Sequence, residues 1–234
     1  MSWIRTALLS LFYPRTCPMC GRFLSEEQMA LEHIEWICPE CWRKLPRTEQ
    51  DVLRQNSTEQ ALEDSRLVRA AAYLHYDKGH AVQQLIHKMK YSDQPMLGFE
   101  MARQAVLDLK NEAFFDDIDL IVPMPLHPKR LRERGYNQAE YIAKGLSEIT
   151  GIPVDTTHVV RVRNTPKQAL QDGEGRKTNV AKAFEVIGPK DLANQHILVV
   201  DDLITTGETM KACLHAMHAI RGATFSVFAL CKAR

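Results

Sequence analysis

Val199-Val200-Asp201-Asp202-Leu203-Ile204-Thr205-Thr206-Gly207-Glu208-Thr209 is the stretch from which the rest of the chain can be read. With Ile197 and Leu198 before it, residues 197–200 form a continuous apolar run, as expected of a strand buried on both faces of a parallel sheet. Behind it Met210, Leu214, Met217 and Ile220 recur at helical spacing. A strand passing into a helix leaves free backbone N–H groups at the helix start, a setting that suits a phosphate. Thr205, Thr206 and Thr209 add hydroxyl donors, and Gly207 lets the backbone come close to an anion. Asp201 and Asp202 cannot serve a phosphate directly. They suit the hydroxyls of a ribose diol, or a Mg²⁺ ion. A sugar phosphate with its diol on the acids and its 5′-phosphate in the loop meets all these demands. A simple helix start with Thr205 or Thr206 as N-cap would not require two carboxylates directly after a buried strand.

Working outward, strand-length apolar runs are predicted at 69–76, 118–122, 159–162 and 225–230. Val82, Leu85, Ile86 and Met89 mark a helix between the first two. Strands alternating with helices predict an α/β fold built of βαβ units around a largely parallel sheet. Three zones follow: 1–48, rich in cysteine and tryptophan; a polar connection at 49–66; and a large domain over 67–234.

The first zone holds four of the six cysteines and all three tryptophans. Cys17-Pro18-Met19-Cys20 and Cys38-Pro39-Glu40-Cys41 are separated by seventeen residues, the spacing of a four-cysteine zinc site. Each knuckle turns two thiolates to one point, and two knuckles complete a tetrahedron. Four protein ligands leave no open position, so the expected role of Cys17, Cys20, Cys38 and Cys41 is structural. The competing reading, redox dithiols, usually places the pair at a helix start beside a βαβ core. His33, between the knuckles, reads as a lone exposed histidine, and His215 with His218 as a helix surface. Cys213 and Cys231 read as packing residues.

Thirty basic residues balance twenty-nine acidic ones, for a formal net charge of +1, which excludes a protein acting simply as a polycation. No apolar stretch reaches the eighteen or so residues of a membrane span. Residues 3–12 carry one Arg and a short apolar run ending at Tyr13-Pro14 without a small-residue cleavage pattern, so a short docked helix is expected rather than a signal peptide. On that reading the chain is cytoplasmic, where paired cysteines bind metal more often than each other.

The stretch 199–209 resembles the phosphoribosyl pyrophosphate (PRPP) signature of type I phosphoribosyltransferases. Further motifs narrow the resemblance to the ComF family of competence and DNA-uptake proteins, which includes GntX-type relatives. They are Ile121-Val122-Pro123-Met124-Pro125-Leu126-His127-Pro128, Arg130-Leu131-Arg132-Glu133-Arg134-Gly135-Tyr136-Asn137-Gln138-Ala139 and Lys88-Met89-Lys90-Tyr91. Arg163-Asn164-Thr165, Gln168, Leu170, Arg176, Asn179 and Ala183-Phe184 also fit, as does the four-cysteine module. The resemblance implies a type I phosphoribosyltransferase fold over 67–234, with a hood at 67–115 and a core at 116–234.

For function it implies PRPP and Mg²⁺ binding, with structural Zn²⁺ in the module. Asp201 and Asp202 would hold the ribose, and Thr205, Thr206, Gly207, Glu208 and Thr209 the 5′-phosphate. Pro123, Met124, Pro125, Leu126 and Arg130 would lie along the pyrophosphate, in a loop that also carries Lys129, Arg132 and Arg134. Residues 164–182, with Lys167, Arg176, Lys177 and Lys182, would form a mobile loop closing over an oxocarbenium-like transition state. Asp201, Asp202, Arg134 and Arg176 are then the expected catalytic groups. Three functions stay open: pentosyl (glycosyl) transfer to an acceptor the sequence does not identify, PRPP sensing without turnover, and single-stranded DNA binding within the DNA-uptake machinery. For the last, Tyr91, Tyr136, Trp36 and Trp42 are candidate stacking platforms. Tyr136, Asn137 and Gln138 either hold their loop or read a ligand edge.

Overall fold

The computed structural model describes residues 15–25, 36–48, 56–77, 81–92, 94–109, 113–164 and 183–234. Its elements run α1 (Pro39–Arg43), α2 (Ser57–Leu62), β1 (Leu67–Tyr76), α3 (Ala81–Tyr91), α4 (Met96–Leu109), β2 (Leu120–Pro123), α5 (Pro128–Arg134), α6 (Gln138–Thr150), β3 (Val159–Arg161), β4 (Phe184–Val186), β5 (His196–Ile204), α7 (Glu208–Met217) and β6 (Thr224–Ala233). Four strands form one sheet in the order β1-β6-β5-β2, all pairs parallel. The β3–β4 pair is a separate antiparallel ribbon.

The apolar run centred on Val199 sits in the middle of this sheet, between β6 and β2, which is why it needs no polar face. Its side chains alternate between two cores. Leu198 and Val200 join α3, α4 and α6 through Leu85, Met89, Met101 and Leu146. Ile197 and Val199 join α7 through Met210, Leu214 and Met217. Ile220, expected to extend the α7 stripe, lies past the helix end in a turn but is still fully buried.

Several expectations are revised. The stretch 67–115, anticipated as a hood over a core of 116–234, contributes β1 to the same sheet as β5. Within the polar connection at 49–66, α2 is a docked helix: the Asn56 side chain caps it by accepting from Thr58 and Glu59 N–H at 2.9 and 3.0 Å, and Leu62 is buried. Residues 3–12, His33 and residues 165–182 of the predicted mobile loop, Arg176 included, lie outside the described residues.

The cysteine-bearing segment covers the outer edge of β1. His75 N–H donates to Pro46 O at 2.8 Å, Thr48 N–H donates to Tyr73 O at 3.0 Å, and Arg47 bridges antiparallel to Leu74. A sheet edge paired in this way is no longer a template for aggregation. No helix among the described residues is long and apolar enough to cross a membrane.

Candidate active site and metal centre

β5 does not end at Val200. It continues to Ile204 because β6 runs alongside it, with Asp201 opposite Ala229 and Leu203 opposite Cys231. Both acids therefore stand on a strand, and the period of two sends them to opposite faces. Asp202 turns to the α3 face, where its Oδ2 lies 2.6 Å from Lys90 Nζ. Asp201 turns to the α7 face, within electrostatic reach of Arg161 and Cys213. Its Oδ1 accepts the Asp202 N–H at 2.8 Å. Burial, followed by the neighbouring Asp202 carboxylate, pushes the Asp201 acid up to about 7, although Lys90 and Arg161 pull the other way. Lys90 is itself raised: burial opposes its charge, but Asp202 more than offsets that.

The loop after β5 turns at Gly207, the N-cap of α7, with φ of 80° and no side-chain cap. Neither Thr205 nor Thr206 caps the helix, so the simple capping explanation for these threonines is excluded. Glycine is required at 207 on two counts. An L side chain is strained at that φ, and a Cβ there would meet the Ala61 carbonyl of α2 at 3.0 Å. The docked connection helix thus packs directly behind the candidate phosphate loop.

Opposite it, the segment after β2 holds a short helix rather than an open loop. Pro128 stands at the first turn of α5, and the His127 ring accepts the Lys129 N–H at 3.2 Å. Arg130 and Arg134, four apart on this helix, both line the pocket; Lys129 and Arg132 do not. Arg134 stacks over the Tyr91 ring at 5.2 Å and donates to Gln138 Oε1. Tyr136 OH donates to Met89 O at 2.8 Å, while Asn137 caps α6 and donates to Met124 O at 3.1 Å. These bonds brace the loop, and Asn137 and Gln138 also line the pocket.

These segments enclose a cavity of about 190 Å³ at the carboxyl ends of the adjacent strands β2 and β5, where open α/β sheets bind ligands. Of the expected site residues, Asp201, Asp202, Thr205, Gly207, Glu208, Thr209, Met124, Leu126, Arg130 and Arg134 line it. Thr206, Pro123 and Pro125 do not, and the two prolines border a neighbouring cavity instead. The sequence reading missed two pocket cations. Lys90 was visible only as part of a motif. Arg161 gave no signal beyond its position at the end of a predicted strand.

The four cysteines of the two knuckles also converge, with their sulfurs all within 4.8 Å of one another. Cys20 Sγ lies 3.7 Å from Cys38 Sγ, close to the edge of about 3.8 Å that tetrahedral Zn–S bonds of 2.3 Å would produce. The first knuckle closes through Cys17 N–H to Arg22 O at 2.8 Å and Gly21 N–H to Cys17 O at 2.9 Å. The second is the start of α1, with Cys38 as N-cap and its N–H on Cys17 Sγ at 3.4 Å. Burial raises the Cys17 thiol, but backbone N–H groups of Cys38, Cys20 and Met19 prevail and lower it to about 7. The set is compatible with a zinc module. Behind it Trp42 is only 6% exposed and Arg47 lies over its ring at 5.0 Å, so this residue is not an open stacking platform.

Comparison with known proteins agrees with this architecture. Residues 133–234 match the phosphoribosyl transferase domain family. The DNA utilization protein YhgH of Shigella flexneri is 26% identical over 235 residues, covering 99% of this chain and 96% of that one. Competence protein F of Haemophilus influenzae is 26% identical over 226 residues, covering 94% and 86%. Among solved structures, the allosteric regulatory enzyme of purine biosynthesis aligns with 60% of this chain and 29% of its own, at 14% identity and a TM-score of 0.38. With its parallel sheet, a phosphoribosyl transferase domain match over residues 133–234 and an N-terminal cysteine cluster, the chain is similar along nearly its whole length to YhgH and competence protein F.

Proposed function

We propose that the pocket binds Mg²⁺-PRPP. The observation that carries this reading is the meeting, in one cavity, of an acid pair on β5, a glycine-turned hydroxyl loop and the guanidinium groups of Arg130, Arg134 and Arg161. The ribose hydroxyls and the metal suit the acids. The 5′-phosphate suits Thr205, Gly207 and Thr209 at the start of α7. Pyrophosphate, the leaving group, suits the arginines, which would stabilise charge as the C1–oxygen bond breaks. When bound, Mg²⁺ would neutralise part of the diphosphate charge. Transfer of the phosphoribosyl group to a nitrogen acceptor is the chemistry this arrangement supports.

Zn²⁺ in the cysteine centre would be structural, and a reducing cytoplasm suits both its thiolates and a nucleotide-precursor ligand. The names of the relatives, DNA utilization protein and competence protein F, favour a role in handling incoming DNA. Lys129 and Arg132, on the outward side of α5, with exposed Tyr91 beside the pocket, are candidates for contact with single-stranded DNA.

Calorimetric titration of Mg²⁺-PRPP into the wild type and a folded Asp201→Asn/Asp202→Asn variant tests the reading. Binding that the variant loses supports it, and pyrophosphate release in a screen of nucleobases would establish transfer. Absence of binding by a folded wild type would sink it, and leave DNA handling on an inherited scaffold as the better account.

A further inference from the structure

Lys90 is the one pocket cation supplied from the α3 helix, upstream of the matched 133–234 segment. Four consecutive residues at the end of α3 reach three different parts of the molecule: the first knuckle, the α5–α6 segment and β5. Lys88 Nζ donates to Pro18 O in the first knuckle at 2.7 Å, and Met89 O accepts from Tyr136. Lys90 pairs with Asp202, and the Tyr91 ring carries Arg134. The backbone at this point is therefore held on both sides, and the Lys90 side chain reaches the pocket from it.

A buried ion pair is weak support for a fold, because desolvation of both charges consumes most of the attraction. Here the pair is largely buried yet borders a cavity: the Lys90 side chain is 21% exposed and that of Asp202 10%. Arg134 is near enough to repel Lys90. Lys90 and Arg134, set beside the acid pair, give the pocket both an anion position and a cation position. Resting on the PRPP reading above, we propose that Lys90 is a built-in counter-ion with two positions. When no ligand is bound it occupies the Asp202 carboxylate and competes there with divalent cations. When Mg²⁺-PRPP takes that carboxylate, Lys90 turns beside Arg134 to the diphosphate. The pocket would in this way admit metal chiefly together with its anion.

The two positions predict opposite changes in one variant. In the full chain, Lys90→Met should bind Mn²⁺ without PRPP about tenfold more tightly, read by electron paramagnetic resonance of free Mn²⁺. It should bind Mg²⁺-PRPP at least about tenfold more weakly, read by calorimetry. Lys90→Arg should keep both near wild type. A merely structural lysine would lower both affinities together, and an idle one would change neither; either result in a variant with a wild-type unfolding transition overturns the proposal. If Lys90→Met fails to fold, Lys90→Gln is measured in the same two ways. Should the wild type bind no PRPP, the PRPP reading fails by itself. The Mn²⁺ arm then judges the counter-ion: tighter Mn²⁺ binding in Lys90→Met upholds it, and unchanged binding removes it.

Discussion

The cysteine centre and the pocket both force like groups together, but they do so by different routes. In the centre, two knuckles close by their own turns, and only a short stretch of chain separates them. The pocket draws on α3, the end of β2 with α5 and α6, the end of β3, and the β5–α7 turn, so its groups are distant in sequence. Spacing rules therefore capture the first almost completely. The second depends on strand order, since only the pairing of β2 with β5 brings the basic helix opposite the hydroxyl loop. The two regions meet in α3, which reaches a knuckle carbonyl with Lys88 and the acid pair with Lys90.

Metal removal should separate them most sharply. A structural zinc supplies on the order of 10 kcal/mol of binding free energy, so chelation or Cys38→Ser should unfold the knuckles and red-shift Trp42 fluorescence. The parallel sheet should keep a cooperative transition of its own in differential scanning calorimetry. Through Lys88, affinity for Mg²⁺-PRPP should fall severalfold; an unchanged affinity would mean the regions are energetically independent.

Gly207→Ala is expected to act on the pocket and spare the centre. Left-handed backbone costs an L residue roughly 1–2 kcal/mol, and the Ala61 carbonyl leaves little room for a methyl group. Urea denaturation should report that loss, with metal content unchanged.

Acidity offers a finer probe. Asp201 sits at about 7 in the folded protein against 3.8 for the free side chain, so the native state holds a proton that the unfolded chain has released between those values. Stability should then fall as pH rises from about 4 to 7, and Asp201→Asn should raise Tm by a few degrees at pH 8 and by about nothing at pH 4. Ligand affinity should run the other way. It should increase through pH 7 as the carboxylate able to accept ribose hydroxyls or bind metal forms. Opposite slopes for stability and binding would mark Asp201 as a group kept at a cost to the fold.

The smallest effect is expected for Tyr136→Phe, which removes one hydrogen bond to Met89 O. About 1 kcal/mol of stability should be lost, with a modest drop in PRPP affinity because α3 and the basic segment are less firmly joined. Loss of affinity with no loss of stability would instead show that Tyr136 touches the ligand.

Local pattern was enough to reveal the buried strand around Val199, the glycine-turned loop, the two knuckles and the basic run at 130–134. Each of these is a matter of neighbours within a few residues: apolar continuity, a positive φ, a two-residue gap between thiols, charges one helical turn apart. The same pattern placed the acids after the strand, where they read as one paired acceptor. Only the length of β6 carries the strand through them and sends Asp201 and Asp202 to different faces. Packing also decided that Lys90 and Arg161 are pocket residues, that Trp42 lies beneath Arg47, and that a polar connection folds into a helix against Gly207. Such facts are set by which surfaces of distant segments become complementary once the sheet has formed, and a single chain's periodicity carries no record of them.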